Sequence, residues 1–358
     1  MKIYKHRPNL VFDHHPLTQK KLIKLFQDEN INKLSSGKAC IIRILDLWGI
    51  KGKNIIVPYY ICSDVVSAIE YSGNSVIYCD IDIEDMNISF NSVHDICKKN
   101  KISVVLAPSL YGNSANLSKL SSFCKSKKIK LLNDCAQSCG ATLHNKSLLM
   151  YGDAAFISVS IGKPLSGFAG AYMSIKGKKL NQKDFTNTSN IYYLLITCSY
   201  IFSRVLIEWK AFRIIGKFFS KLSELWVNYA HISVYDMYIP IWVNWYNMKL
   251  IAAQLDLAFQ FRQDFIDLII DTKDYRVIRS IRGKPVGFRL ILLFFEKETC
   301  RRFSTYLMNN EIYYSNGYNI RSFQFDSARI IDERIIDLPI DHNKKKRKYL
   351  KDVLDRYG

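Results

Sequence analysis

The feature that most constrains this chain is a pair of short apolar runs that each stop on an ionisable group. They lie in Leu131–Gly170, which reads LLNDCAQSCGATLHNKSLLMYGDAAFISVSIGKPLSGFAG. The run at Lys130–Leu132, coming after another at Val104–Ala107, has the character of a buried strand in a parallel sheet. It stops on Asn133-Asp134, a carboxylate where strand gives way to loop. The second run, Ala154–Ile161, stops on Gly162-Lys163-Pro164. Two strand ends that each deliver one such group predict a site at the carboxyl edge of an α/β sheet.

Pyridoxal phosphate chemistry calls for such a pair. A lysine forms the Schiff base and afterwards moves the proton, and a carboxylate keeps the pyridine nitrogen protonated so that the ring accepts electrons. Lys163 and Asp134 are the candidates for these roles. A lysine after a strand is, taken alone, an ordinary solvated loop residue, so the surrounding pattern has to carry the assignment.

That pattern is Asp134-x-x-Gln137, Gly152-Asp153-Ala154-Ala155, Phe156-x-Ser158, Lys163 five residues further on, and a turn with Gly167 and Gly170. It resembles the DegT-type nucleotide-sugar aminotransferases, which are fold-type-I pyridoxal-phosphate enzymes. The resemblance implies an α/β fold: a large domain with a mainly parallel central sheet wrapped by helices, and a smaller C-terminal α+β domain. It covers roughly 35–175, 244–257 and 335–340. We place the large domain at 1–240, with an atypical helical segment at 180–240, and the small domain at 241–358.

Upstream, Leu34-Ser35-Ser36-Gly37-Lys38 opens a helical run at Ile41–Trp48. A Ser-Gly turn at a helix start exposes N–H groups and the positive end of the dipole, which suits a phosphate; it is also an ordinary N-cap. In the resembled family a Ser-Gly-Thr tripeptide holds the cofactor phosphate, which assigns Ser36, Gly37 and Lys38 to that role. Lys38 stands where Thr is usual, so a hydroxyl contact is lost and a charge is gained. The loop after the strand Asn54–Pro58 supplies an aromatic ring that stacks on the pyridine in that family. Alignment on Pro58 puts Cys62 there; Tyr60, two residues earlier, is the aromatic candidate, with a Tyr pair in a dimer interface as the alternative. The resemblance further assigns Gln137 to the ring hydroxyl and Ser158 to the phosphate. Asn244, in Asn244-Trp245-Tyr246-Asn247-Met248, is assigned to the partner subunit's cofactor phosphate, or to a helix N-cap. The Ile81–Ile88 run matches the family but reads as architectural, and Leu110-Tyr111-Gly112 is its turn beside the site.

The 358 residues suffice for two cores, and 48% hydrophobic with 23% charged residues describes an ordinary globular chain. No apolar stretch follows the basic start Met1–Asn9, which points to the cytoplasm. Nine scattered cysteines suit a reducing compartment, and their spacing gives no metal motif. The net charge of +19 suits an anionic partner, but no basic motif interleaved with aromatics argues for nucleic acid. The KKKRK run at Lys344–Lys348 reads as a solvated helix face. Ile191–Phe202 is apolar over too few residues to span a bilayer, which takes roughly 20. The basic, apolar-interleaved segment after it reads as helices packed in a dimer or over the cleft, with a membrane-surface helix as the alternative.

In the C-terminal part the pattern predicts a strand at Pro285–Phe295, a helix at Lys297–Asn309, a second strand at Ile312–Tyr318, and a basic final helix. The resemblance implies a homodimer with shared active sites. It also implies ping-pong transfer of an amino group, from an amino acid such as L-glutamate to the keto group of a nucleotide-linked sugar, for surface-glycan biosynthesis. Family relatives that are dehydratases carry histidine in place of the Schiff-base lysine, and Lys163 argues against that chemistry. A non-catalytic, membrane-apposed homologue is the rival of another class.

Overall fold

The strands of the large sheet alternate apolar side chains between two covered faces, as the apolar runs require. The computed structural model describes residues 18–159, 162–165, 170–178, 186–187, 237–238, 260–341 and 343–357. A seven-stranded sheet is built from β1 (Asn32–Leu34), β2 (Asn54–Pro58), β3 (Ser75–Cys79), β4 (Val104–Pro108), β5 (Lys130–Asp134), β6 (Ala154–Ser158) and β7 (Ala171–Ile175). Its spatial order is β1-β7-β6-β5-β4-β2-β3. The β6–β5, β5–β4, β4–β2 and β2–β3 pairs are parallel, whereas β7 runs antiparallel to both β1 and β6.

Val104, Leu106, Leu132 and Phe156 face helices α2 (Gly37–Leu47) and α3 (Ser63–Tyr71). Val105, Ala107, Leu131 and Ile157 face α1 (Thr18–Phe26), α4 (Phe90–Lys99) and α5 (Leu117–Lys127). The register Pro108↔Asp134↔Phe156 brings the carboxyl ends of β4 and β5 level, with β6 running two residues further to Ser158, so the loops that follow open at one edge. This is the α/β, mainly parallel architecture expected of the large domain.

The C-terminal part forms a second layer. β8 (Tyr275–Ile278), β9 (Arg289–Phe294) and β10 (Ile335–Pro339) make an antiparallel sheet. One face packs on α6 (Gln260–Asp267), α7 (Lys297–Asn309) and α9 (Lys344–Tyr357). The other, with the short α8 (Asp326–Ile331), closes over Tyr59, Tyr60, Leu110 and Tyr111 of the large sheet's loops. Ion pairs add to this seam: Arg276 reaches Glu84 at 2.8 Å, and Arg282 reaches Asp82 at 3.0 Å and the fully buried Asp85. The expected domain boundary at 240/241 lies outside the described residues.

Two expected strands are corrected. In 285–295 only Arg289–Phe294 is a strand. The residues before it bond to the large domain instead, Val286 N–H to Gly112 O (3.1 Å) and Phe288 N–H to Tyr111 O (3.2 Å). Likewise 312–318 is no strand. Ser315 and Asp337 exchange both backbone hydrogen bonds, and the chain then turns at Gly317, whose φ is +74°.

The crossing at Gly112 and Gly287 leaves no room for side chains. A Cβ on Gly287 would sit 2.7 Å from Gln263 N, at a φ of +54°. Gly287→Ala is therefore expected to cost about 3 kcal/mol or more, read as an earlier midpoint in urea unfolding. A variant that unfolds with the wild type would show that the crossing is looser than drawn.

Candidate active site

Asp134 ends β5, Ser158 ends β6, and Lys163 sits in the 162–165 loop beyond β6, so neighbouring strands deliver all three to one edge. They line a cavity of about 130 Å³. Ser36, Gly37 and Lys38 form another part of its wall, because β1 delivers the chain to α2 beside β6. The Ser36 side chain caps α2 by accepting from Ala39 N–H at 3.2 Å, which leaves the first turn facing the cavity. A Cβ on Gly37 would lie 3.1 Å from the Phe156 ring, so a larger residue there would press on the ring.

The Asp134 carboxylate is buried, and among the described residues its hydrogen bond comes from Ala136 N–H to Oδ1 at 2.9 Å. Burial pushes its pKa above the usual carboxylate range; the Ala136 N–H and the positive charge of Lys163 oppose that shift. A carboxylate held out of water with spare acceptor capacity suits a cationic N–H.

Two motif residues, Asp153 of the Gly152–Ala155 motif and Asn87 of the run read as architectural, have structural roles here. Asp153 accepts from Leu131 N–H at 2.9 Å and from Lys130 Nζ at 3.0 Å, which ties β6 to the start of β5. Asn87 accepts from Leu110 N–H at 2.7 Å and so pins the Leu110–Gly112 turn. That turn holds Gln137: Tyr111, at φ +59°, donates its N–H to Gln137 Oε1 at 2.8 Å.

Gln137 lines the cavity, and its amide is also engaged, with Nε2 donating to the Tyr318 hydroxyl. Tyr318 lines the cavity too and is the functional candidate the sequence reading missed. It is held by Tyr60, whose hydroxyl accepts Tyr318 N–H at 3.2 Å and lies 2.6 Å from the Tyr111 hydroxyl. Gln137, Tyr318, Tyr60 and Tyr111 thus close a ring of hydrogen bonds behind the cavity wall.

Tyr60 is accordingly corrected as the stacking residue. It is 1% exposed, packs edge-on against Tyr318 at 5.5 Å, and is not in the wall. Cys62 stands in the wall instead, together with Asp64 and Ile61. Burial raises the Cys62 thiol's pKa, and the nearby Lys163 charge draws it down. Sequence could not have flagged Tyr318 or Asp64, because neither belongs to a recognisable spacing and both arrive through the fold. Asn244 lies outside the described residues.

The model of the DegT/DnrJ/EryC1/StrS aminotransferase family matches residues 19–183, the stretch that builds the cavity apart from Tyr318. GDP-perosamine synthase of Escherichia coli O157:H7 is 28% identical over 150 residues, covering 41% of this chain and 40% of that protein. The match to that curated relative therefore spans about two fifths of its length. Among solved structures, the chain is similar to Helicobacter pylori PseC, an aminotransferase involved in the biosynthesis of pseudoaminic acid. The TM-score is 0.72 at 12% identity, with 99% of each chain covered. It is also similar to E. coli GDP-4-keto-6-deoxy-D-mannose-3-dehydratase with bound hydrated PLP, at a TM-score of 0.67 and 16% identity, covering 96% of this chain and 93% of that one. At these identities the structural matches establish the fold alone, the fold-type-I architecture expected.

Proposed function

We propose that this chain, whose residues 19–183 match the model of the DegT/DnrJ/EryC1/StrS aminotransferase family, is a member of that family and a pyridoxal-phosphate-dependent transaminase acting on a nucleotide-linked keto sugar. The observation that carries the reading is the convergence of Ser36, Gly37, Asp134, Ser158 and Lys163 on one cavity from four separate elements. The nucleotide-sugar substrate is supported by the relatives, and L-glutamate as donor by the family resemblance.

The residues fit the cofactor. A cradle that a Cβ on Gly37 would crowd lies at one end, a buried carboxylate lies deeper, and a lysine stands in the wall. When bound, pyridoxal phosphate supplies an electron sink for negative charge developing on the substrate carbon next to nitrogen. Lys163 Nζ would be the group that holds the cofactor and the base that takes and returns the proton during amino transfer. Asp134 holds the ring nitrogen in its protonated form. The α2 N-terminus, with Ser36 and Ser158, binds the phosphate. Gln137 orients the ring through its amide, itself oriented by Tyr111 and Tyr318.

Lys163 also separates this reading from the dehydratase relatives, whose mark is a histidine at that place. We further read the protein as a homodimer of the cytoplasm with active sites shared across the interface. Among the described residues no helix is long and apolar enough to cross a membrane.

The test is the absorbance spectrum of purified protein with pyridoxal phosphate, before and after L-glutamate. The band of the lysine-bound cofactor is expected to give way to that of the aminated form, and to return when a nucleotide-linked keto sugar is added. Absence of any lysine-bound band would overturn the enzyme reading.

A further inference from the structure

The end of the cavity formed by the α2 N-terminus carries an ion pair with no counterpart in the Ser-Gly-Thr pattern. Lys38, in the first turn of α2, extends its Nζ to 3.3 Å from Oδ1 of Asp64, in the first turn of α3. Both residues line the cavity that also contains Ser36, Gly37 and Ser158. The lysine side chain is 11% exposed and the aspartate 55%, so the cation is tucked inward and its partner reaches water.

The placement is electrostatically odd for a lysine. The first turn of a helix is its positive end, where a cation is disfavoured and an anion favoured. Asp64 suits its own position at the start of α3 and would keep most of its stabilisation there without Lys38. A phosphate dianion at the α2 N-terminus would offer Lys38 twice the charge of Asp64 and would also relieve its conflict with the dipole. With Asp64 55% exposed, water screens the pair and takes up the aspartate when Lys38 leaves, so the exchange costs little.

Resting on the cofactor assignment above, we propose that Lys38 exchanges Asp64 for the cofactor phosphate. Lys38 is the charged ligand that replaces the family's threonine hydroxyl, and Asp64 is a resident competitor that parks it when the site is empty. Cofactor retention is then set by two residues acting in opposite directions.

The experiment uses full-length apoprotein and two probes, pyridoxal phosphate by fluorescence titration and inorganic phosphate by thermal shift. Lys38→Met should weaken both probes by about ten- to hundredfold. Asp64→Asn should tighten both by about threefold. In the Lys38→Met background, Asp64→Asn should lose most of its effect, because the aspartate acts through the lysine. Lys38→Thr, which restores the family residue, guards against a folding defect and should bind with little response to Asp64→Asn. Equal affinities for wild type and Asp64→Asn would overturn the exchange. So would an Asp64→Asn gain that persists in full without Lys38, since Asp64 would then be a plain repelling charge. Phosphate binding that follows this pattern without any pyridoxal phosphate binding would leave the exchange standing and remove the cofactor assignment.

Discussion

Replacing Lys163 with alanine is expected to lower amino transfer by roughly 10⁴-fold or more, because one side chain supplies both the covalent anchor and the moving proton. The geometry allows no ready substitute among the described residues. The other cavity cation, Lys38, stands in the first turn of α2, the end assigned to the phosphate. The turn that carries Lys163 is tied to the rest of the fold on its far side. Gly162 precedes it at φ +84°, and the carbonyl of Pro164 accepts a 3.4 Å hydrogen bond from the buried guanidinium of Arg262. The alanine variant should therefore still fold and still bind pyridoxal phosphate through Ser36, Asp134 and Ser158, but without the lysine-bound absorbance band. Product formation from a keto-sugar substrate and the spectrum measure the two effects separately. A variant that kept transfer within tenfold of wild type would remove Lys163 from the reaction.

Asp134→Asn is expected to act in opposite directions on cofactor binding and on the stability of the empty protein. Affinity for pyridoxal phosphate should fall by about 10²- to 10³-fold, the usual consequence of removing one partner of a buried charged pair. The empty protein should gain, because a carboxylate is no longer buried. Burial raises the folded-state pKa of Asp134 above its ordinary value of 3.8, so the folded protein binds this proton more tightly than the unfolded chain does. Its contribution to stability is therefore greatest below 3.8 and is lost as pH rises through the folded-state value. The asparagine variant should lack that loss, and its apoprotein melting temperature should fall less than the wild type's between acid and neutral pH. A bound ring nitrogen reverses the sign by supplying the missing positive charge. Melting curves of both apoproteins across pH, with cofactor titrations at neutral pH, test the pair of effects. Unchanged cofactor affinity would show that Asp134 does not face the ring.

Where sequence reading succeeded, local pattern and tertiary role coincide. The runs at 104–107, 131–132 and 154–159 are apolar on both faces because helices cover both faces, so burial wrote itself into consecutive residues. Asp134 and Lys163 were legible because strand ends place side chains at the sheet edge whatever the loops do. Ser36-Gly37 was legible because capping is a local requirement. The Ile312–Tyr318 strand failed for the complementary reason. Its apolar and aromatic content reflects burial against Tyr60 and β10, which no spacing within the segment records.

The chain's own residues thus determined an α/β sheet and placed Asp134, Lys163 and the Ser36-Gly37 turn around one cavity at its carboxyl edge. Only the tertiary structure decided which aromatics serve that edge. Tyr60 and Tyr318 are 258 residues apart, and a hydrogen bond between them depends on how the second sheet closes over the first. The same holds for Lys38 and Asp64, joined by the packing of two helix starts. Side chains that meet across such distances leave no periodic trace, because each is selected by its partner in space and not by its neighbours in sequence.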